Sequence, residues 1–196
     1  MVNVPERPPT PGQGATLAAN LRALRRDREL TLEGLAAASG VSRAMISKIE
    51  RGAAVPTATV LGRLAHGLEV GLSRLLGAAQ ARGPVLLHPA EQPVYADAAN
   101  GFERRSISPV FPDRFLDLAL NRLAPGGQAV FPPHHRGVEE YLHVSRGTLE
   151  VIVDGTAFTV PAGATLFYEG DRQHEFHNRT AEPVEFLVAV DSSGAR

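Results

Sequence analysis

The stretch TLEGLAAASGVSRAMISKIERG, residues 31 to 52, decides how the first third of the chain folds. Leu32, Leu35 and Ala36 recur at helical spacing, and Gly40 follows them; its missing Cβ permits the left-handed turn that ends a helix. A second helix opens at Ser42, whose side-chain oxygen is available to a free backbone N–H. Val41, Ile46 and Ile49 then face a core, while Arg43, Ala44, Ser47 and Lys48 share the opposite face at spacings of three and four. Two short helices about a tight turn, one with donors along its outer side, have the grammar of a helix-turn-helix. A major groove asks for such a helix, with an apolar rail behind and long and short donors in front.

Outward from this stretch the helical spacing persists from Leu17 to about Leu76, through Leu21, Leu24, Leu61, Leu64 and Leu68. Five short helices fit, separated at Leu30-Thr31, Gly40, Gly52 to Pro56 and Gly71, with Thr31, Ser42 and Thr57 standing as N-caps. After Leu76 the texture changes. GAAQARGP, residues 77 to 84, reads as a linker, and from Val85 short alternating or apolar runs dominate: FLDLALNRL, EEYLHV, TLEVIV, AFTV, TLFY and VEFLVAV. Turn signals PGG, RG, DG and PAG separate them, which predicts an antiparallel sandwich or small barrel. The first fifteen residues, rich in Pro, Gly and polar types, predict a disordered arm. The expected organisation is therefore an arm at 1–15, a helical DNA-binding domain at 16–76, a linker at 77–84 and an all-β domain at 85–196.

Bulk composition agrees with two small domains. The chain has 196 residues, 43% of them hydrophobic, near the upper end for one compact unit. It has no cysteine, so disulfides, thiolate nucleophiles and Cys-based zinc sites are excluded, and His, Asp and Glu remain as the strong metal ligands. No run of about eighteen apolar residues and no secretory signal is present, so the expected location is the cytoplasm, without membrane contact. The net charge of −1 hides an asymmetry: residues 16–80 hold nine basic against five acidic side chains, and residues 81–196 ten against fifteen. The basic half is the candidate for nucleic acid. Of the 20 basic residues all but Lys48 are arginine, which fits a GC-rich genome and carries no function by itself.

Over about residues 17–76 the chain resembles the Cro/C1-type, or XRE, helix-turn-helix family. The likeness is carried by the Leu35-Ala36 pair, the Gly40-Val41-Ser42 turn, the run Ile46-Ser47-Lys48-Ile49-Glu50-Arg51-Gly52, the following Pro56 and the Leu61-x-x-Leu64-Ala65 stretch. The resemblance implies base reading by Arg43, Ala44 and Lys48, with Ser47 on the same face, and backbone contacts by Ser42, Arg51 and Thr57. It implies a pairing of Glu50 with Arg25 across the helices. It also implies a homodimer on paired half-sites of a double-stranded operator, with the second domain holding the dimer.

Residues 126–178 resemble the cupin superfamily, a small double-stranded β-barrel. Gly127, His135, Glu140 and Gly147 keep the spacing of its first signature, with Pro133 at the first histidine position; Gly155, Pro161, Gly163, His174 and Asn178 supply the second. The implied site is His135, Glu140 and His174, two imidazoles and a carboxylate suited to Zn, Mn, Fe or Ni. His134 can substitute only if the backbone turns, because on a regular strand it points the other way. The same three side chains, with apolar neighbours Leu142, Val144, Phe167 and Phe176 pointing inward, equally suit a metal-free pocket for an organic effector. His143 and His177 have the opposite strand parity and read as surface or interface residues.

The fold expected is thus α + β in two domains, a five-helix helix-turn-helix bundle followed by an all-β cupin barrel. The function expected is a dimeric, DNA-binding transcriptional regulator whose barrel senses a small molecule and carries no catalytic residue. Two alternatives stay open: a DNA-tethered, metal-dependent cupin oxygenase or isomerase, and a regulator whose cupin is a passive dimerisation module.

Overall fold

A computed structural model of the chain describes residues 13–77, 83–111 and 115–195. The expected arm lies outside these residues up to position 12, and so do residues 78–82 of the expected linker. Five helices come first: α1 (Gln13–Asp27), α2 (Leu32–Ser39), α3 (Arg43–Glu50), α4 (Ala58–Gly67) and α5 (Leu72–Leu76). Three of them are capped by the residues expected. Thr31 Oγ1 accepts from the Gly34 N–H at 2.9 Å, Ser42 Oγ from Met45 at 3.3 Å and Thr57 Oγ1 from Val60 at 3.3 Å. Gly40 ends α2 at φ +66°, a conformation open to glycine without Cβ strain, and so permits the sharp turn into α3.

Leu21, Leu35, Ile46, Ile49, Leu61, Leu64 and Leu68 are withdrawn from solvent and form the core of this bundle. Glu50 and Arg25 clasp each other in two bonds, Nε to Oε1 at 2.6 Å and Nη2 to Oε2 at 2.9 Å, tying α3 to α1. A third bond from Arg25 Nη1 satisfies the Leu30 carbonyl at 2.8 Å, where the chain leaves α1.

Ten strands follow: β1 (Val94–Asp97), β2 (Phe102–Ser106), β3 (Leu116–Leu123), β4 (Gln128–Phe131), β5 (Glu139–Arg146), β6 (Thr148–Val153), β7 (Thr156–Pro161), β8 (Thr165–Glu169), β9 (His174–His177) and β10 (Val184–Asp191). They build a six-stranded sheet in the order β1-β2-β3-β10-β5-β8 and a four-stranded sheet in the order β4-β9-β6-β7, all pairs antiparallel. Alternation along β5 buries Glu140, Leu142 and Val144 and exposes Glu139, Tyr141 and His143. The register then fixes which inward residues share a row: Asp117 of β3 lies beside Val190 of β10, which lies beside Glu140 of β5, which lies beside Tyr168 of β8.

The two halves dock through α4 and α5. Gly62 makes the close approach possible: a Cβ there would stand 2.9 Å from Pro132 Cδ and 3.3 Å from Phe131 Cδ1. Thr59 Oγ1 donates to the Val130 carbonyl at 2.8 Å, and Tyr95 OH to the Pro56 carbonyl at 2.7 Å. The barrel also supplies two carboxylates to helix N-termini. Asp97 accepts from the Ala58 N–H at 3.1 Å, and Asp117 from the Ser73 N–H at 3.2 Å, where Gly71 offers α5 no side-chain cap of its own.

Candidate functional site

Two regions carry chemistry, the outer face of α3 and the cavity between barrel and helices. On α3, Ile46 and Ile49 pack inward, which turns Arg43, Ala44 and Lys48 outward into solvent, with Ser47 half-buried beside them. Arg43 is held in the free protein by Glu33 of α2, Nε to Oε1 at 2.7 Å, an exposed pair worth little and easily exchanged for another acceptor. Arg51 donates to Ser47 Oγ, and Ser42 and Thr57 stand at the N-termini of α3 and α4, with their hydroxyls occupied as caps. Among the described residues none of the barrel covers these seven; all but Ser47 are exposed.

Inside the barrel the polar cluster is His134, Glu140 and His174, whose candidate ligand atoms all lie within 4.8 Å of one another. His134 Nε2 stands 2.8 Å and His174 Nε2 3.4 Å from Glu140 Oε1, and Tyr168 OH donates to Oε2 at 2.6 Å. Glu140 and His174 are almost wholly buried, at 2% and 1% exposure. Burial by itself pushes the Glu140 carboxyl up, but the charge of His174 and the bonds from His134 and Tyr168 outweigh it and bring it down to about 2. Tyr168 is raised, by burial first and then by the Glu140 charge, so it stays a neutral donor. His174 Nδ1 lies 2.9 Å from the Arg172 carbonyl, which can only accept; Nδ1 therefore carries a proton, and Nε2 is the nitrogen that faces the cluster.

The third member is His134 and not the expected His135. Pro132 and Pro133 cannot continue the strand ladder, residues 132–138 leave the sheet, and a turn at Arg136-Gly137 returns the chain to β5. Strand parity counted back from Glu140 therefore loses its meaning, and His134 swings in, its N–H bonded to the Gly170 carbonyl at 2.8 Å. His135 points instead at the helices. Its ring stacks on His66 of α4 at 4.2 Å between centroids and 9° between planes, and its Nε2 lies 3.3 Å from the His66 carbonyl.

Of the two aromatic residues expected to line the pocket, Phe176 does so, buried beside Phe131 and His174. Phe167 does not. It pairs with Tyr141 on the outer face and is 50% exposed, because the register sets Tyr141, an outward residue, opposite it. Tyr168, one position on, is the inward side chain that sequence spacing left unread. His143 is exposed as expected, whereas His177 is buried and bonds to Glu175 Oε2 at 2.9 Å.

A cavity of about 580 Å³ opens on this cluster. Its walls come from both halves: Phe131, Glu140, His174 and Phe176 from the barrel, and Leu24, Arg28, His66 and Glu69 from α1, α4 and the turns that follow each of them. A second buried polar group, Arg104 with Asn121, lines the same space and was not anticipated from sequence, since single polar residues on alternating strands resemble solvent-facing ones until the pairing is known.

Comparison with known proteins places both halves. Residues 21–75 match the HTH_3 helix-turn-helix family, and residues 119–190 match the Cupin_2 cupin-domain family. The chain is 31% identical over 170 residues to the HTH-type transcriptional regulator SutR of Escherichia coli (strain K12), covering 87% of this chain and 91% of that protein. A crystal structure of an HTH_3 family transcriptional regulator from Vibrio cholerae, 29% identical, superposes with a TM-score of 0.76 over 91% of this chain and 96% of the other. The crystal structure of iron(II) HppE, 18% identical with a TM-score of 0.50 over 91% and 99% of the two chains, shares the fold alone.

Proposed function

The chain belongs to the XRE-type helix-turn-helix transcriptional regulators that carry a C-terminal cupin domain, and from that premise we propose that it is a homodimeric repressor or activator whose cupin cavity receives a small-molecule effector. Residues 16–76 read the operator and residues 85–196 sense and dimerise. Arg43 is the residue for guanine, through its planar fork of donors; Lys48 and Ser47 follow on the same face, Ala44 offers a methyl contact, and Ser42, Arg51 and Thr57 address the backbone. Cytoplasmic location follows from acting on DNA, and no helix among the described residues is long and apolar enough to cross a membrane.

The observation that carries the sensing role is the shared wall of the cavity. A molecule bound against Glu140, His174 and Phe176 also meets His66, Glu69 and Leu24 of the DNA-binding half, so its binding energy depends on how that half is docked. That dependence is what a regulator requires, because a ligand shifts an equilibrium only by its differential affinity for the two states.

His134, Glu140 and His174 also fit a divalent metal: two imidazole nitrogens and one ionised carboxylate, with the His174 ring oriented by the Arg172 carbonyl. When bound, such an ion supplies a Lewis-acidic point for an oxygen of the effector. The same donor set favours a second reading, a metal-dependent cupin enzyme tethered to DNA. Elemental analysis of protein purified without chelator, together with Glu140→Ala, separates the two: a regulator keeps an effector-dependent operator affinity without consuming the effector.

The test of the main reading is operator binding by fluorescence anisotropy, on DNA selected from a random pool, with native protein and with protein stripped of small molecules by unfolding and refolding. A regulator changes affinity when stripped, and His134→Ala/His174→Ala abolishes the difference. Identical affinities throughout would leave the cupin a passive dimerisation module.

A further inference from the structure

We infer that Arg104 and Asn121 form a binding site for the anionic end of a small organic acid that also bears a hydroxyl or amino group, an assignment that rests on the cavity being the effector site. The two residues are cross-strand partners on β2 and β3, each 4% exposed, and both line the cavity. Arg104 gives one nitrogen to Asp117, Nη2 to Oδ2 at 2.9 Å, while its Nε has no partner among the described residues. Asn121 is in the same condition with the opposite polarity: its Oδ1 is unpartnered, and its Nδ2 reaches the Ala119 carbonyl at 3.5 Å, the outer limit of a hydrogen bond. A buried donor and a buried acceptor, both unmatched and borne by residues paired across two strands, are costly unless a ligand matches them.

Asp117 cannot satisfy the guanidinium further. Its two oxygens already accept from the Ser73 N–H, the Ser73 hydroxyl and the Ser108 hydroxyl. What remains on Arg104 is a planar set of N–H groups that only donate, the geometry that suits a carboxylate. Asn121 Oδ1 only accepts, so the same ligand must offer an O–H or N–H to it. A cationic ligand is disfavoured by the guanidinium itself.

The register gives the size. Asp117, Val190 and Glu140 stand in one row on three adjacent strands, so the arginine end lies two strand spacings, roughly 10 Å, from the histidine cluster. A ligand of a few heavy atoms, with an aliphatic stretch against Val188 and Phe176, spans that gap. The site is also wired to the DNA-binding half, since the guanidinium shares Asp117 with the N-terminus of α5.

The test is isothermal titration calorimetry on the full chain with L-malate, 3-hydroxybutyrate and L-lactate, each against its neutral amide. The expected result is binding of at least one acid, loss of tenfold or more on amidation and in Arg104→Met, a smaller loss in Asn121→Leu, and unchanged metal content in both variants. Should Arg104→Met fail to fold, Arg104→Met/Asp117→Asn removes both charges together and carries the same comparison. Amides that bind as well as acids, acids that bind Arg104→Met as they bind the parent, or no acid bound at all each overturn the assignment. The effector reading is judged apart from this, by the operator affinity of native against stripped protein.

Discussion

Glu50 occupies a position on the recognition helix where a carboxylate is of no use to phosphate, and the structure gives it another employment. It holds Arg25 in a two-bonded pair that is only about a tenth exposed on either side. Glu50→Gln keeps the shape and loses the charge, which should cost about 2 kcal/mol, between the values for exposed and fully buried pairs. The expected result is a thermal midpoint several degrees lower with base preference unchanged, read by calorimetry and by binding to permuted operators. Arg43 behaves in the converse way. Its partner Glu33 is as exposed as it is, so Arg43→Ala should leave the midpoint within experimental error while relaxing discrimination at one base position by about 1–3 kcal/mol. A fall in stability without a change in specificity would reverse the two roles.

At the scale of elements the junction of α4 with the β4 edge decides whether the halves communicate. Gly62 stands where any side chain meets Pro132 and Phe131, and the three atoms nearest to a Cβ there all belong to the barrel half. Gly62→Val should therefore leave DNA binding intact and remove its response to effector, because the helices can no longer sit on the barrel; retention of a full response would show that this docking is not the route. His66, on the same helix, adds a pH dependence. Its pKa is lowered from the ordinary 6.5 by burial first, then by the charges of His135 and His134. A depressed folded value means that the released form takes up a proton that the docked form refuses. Docking is then complete above 6.5 and weakens as pH falls below it toward the folded pKa. The opening of α4, read as its hydrogen exchange relative to the intrinsic amide rate at each pH, should increase from pH 7.5 down to 5.5 in the parent and stay flat in His66→Gln.

For the whole molecule the outer face of the six-stranded sheet is the remaining surface of consequence. Leu118, Ala189, Tyr141 and Phe167 form one outward row across β3, β10, β5 and β8, and Leu120 and Leu187 extend the apolar patch beside it. Tyr141 is 44% exposed, and its ring lies 5.0 Å from that of Phe167. A face of this kind supports the proposed homodimer, which would hold two α3 helices for paired half-sites. Tyr141→Asp/Phe167→Asp should convert the dimer to monomer in sedimentation and weaken operator binding by an order of magnitude or more, with the single-domain melting unchanged. A parent protein that sediments as a monomer would remove this part of the reading.

Local chemistry was enough for the helical half. Gly40, Ser42, Thr31 and Thr57 act within three or four residues of themselves, and Ile46 and Ile49 bury one side of a helix whatever it rests on, so α3, its caps and its exposed Arg43 and Lys48 followed from spacing alone. The alternation of β5 likewise told that Glu140 points inward. The members of the barrel site could not be settled in this way, because each depends on a partner distant in the chain. His134 replaces His135 since two prolines take the backbone out of the sheet, Phe167 and Tyr168 exchange sides by the register against β5, and Arg104 meets Asn121 only once β2 pairs with β3. The wall that His66, Glu69 and Leu24 lend to the cavity exists only because the two halves dock. Sequence thus determined what each element is and which way its regular faces point, since those are short-range effects of sterics and hydrogen bonding; which side chains meet in the cavity was decided by strand register and domain docking, which are long-range packing.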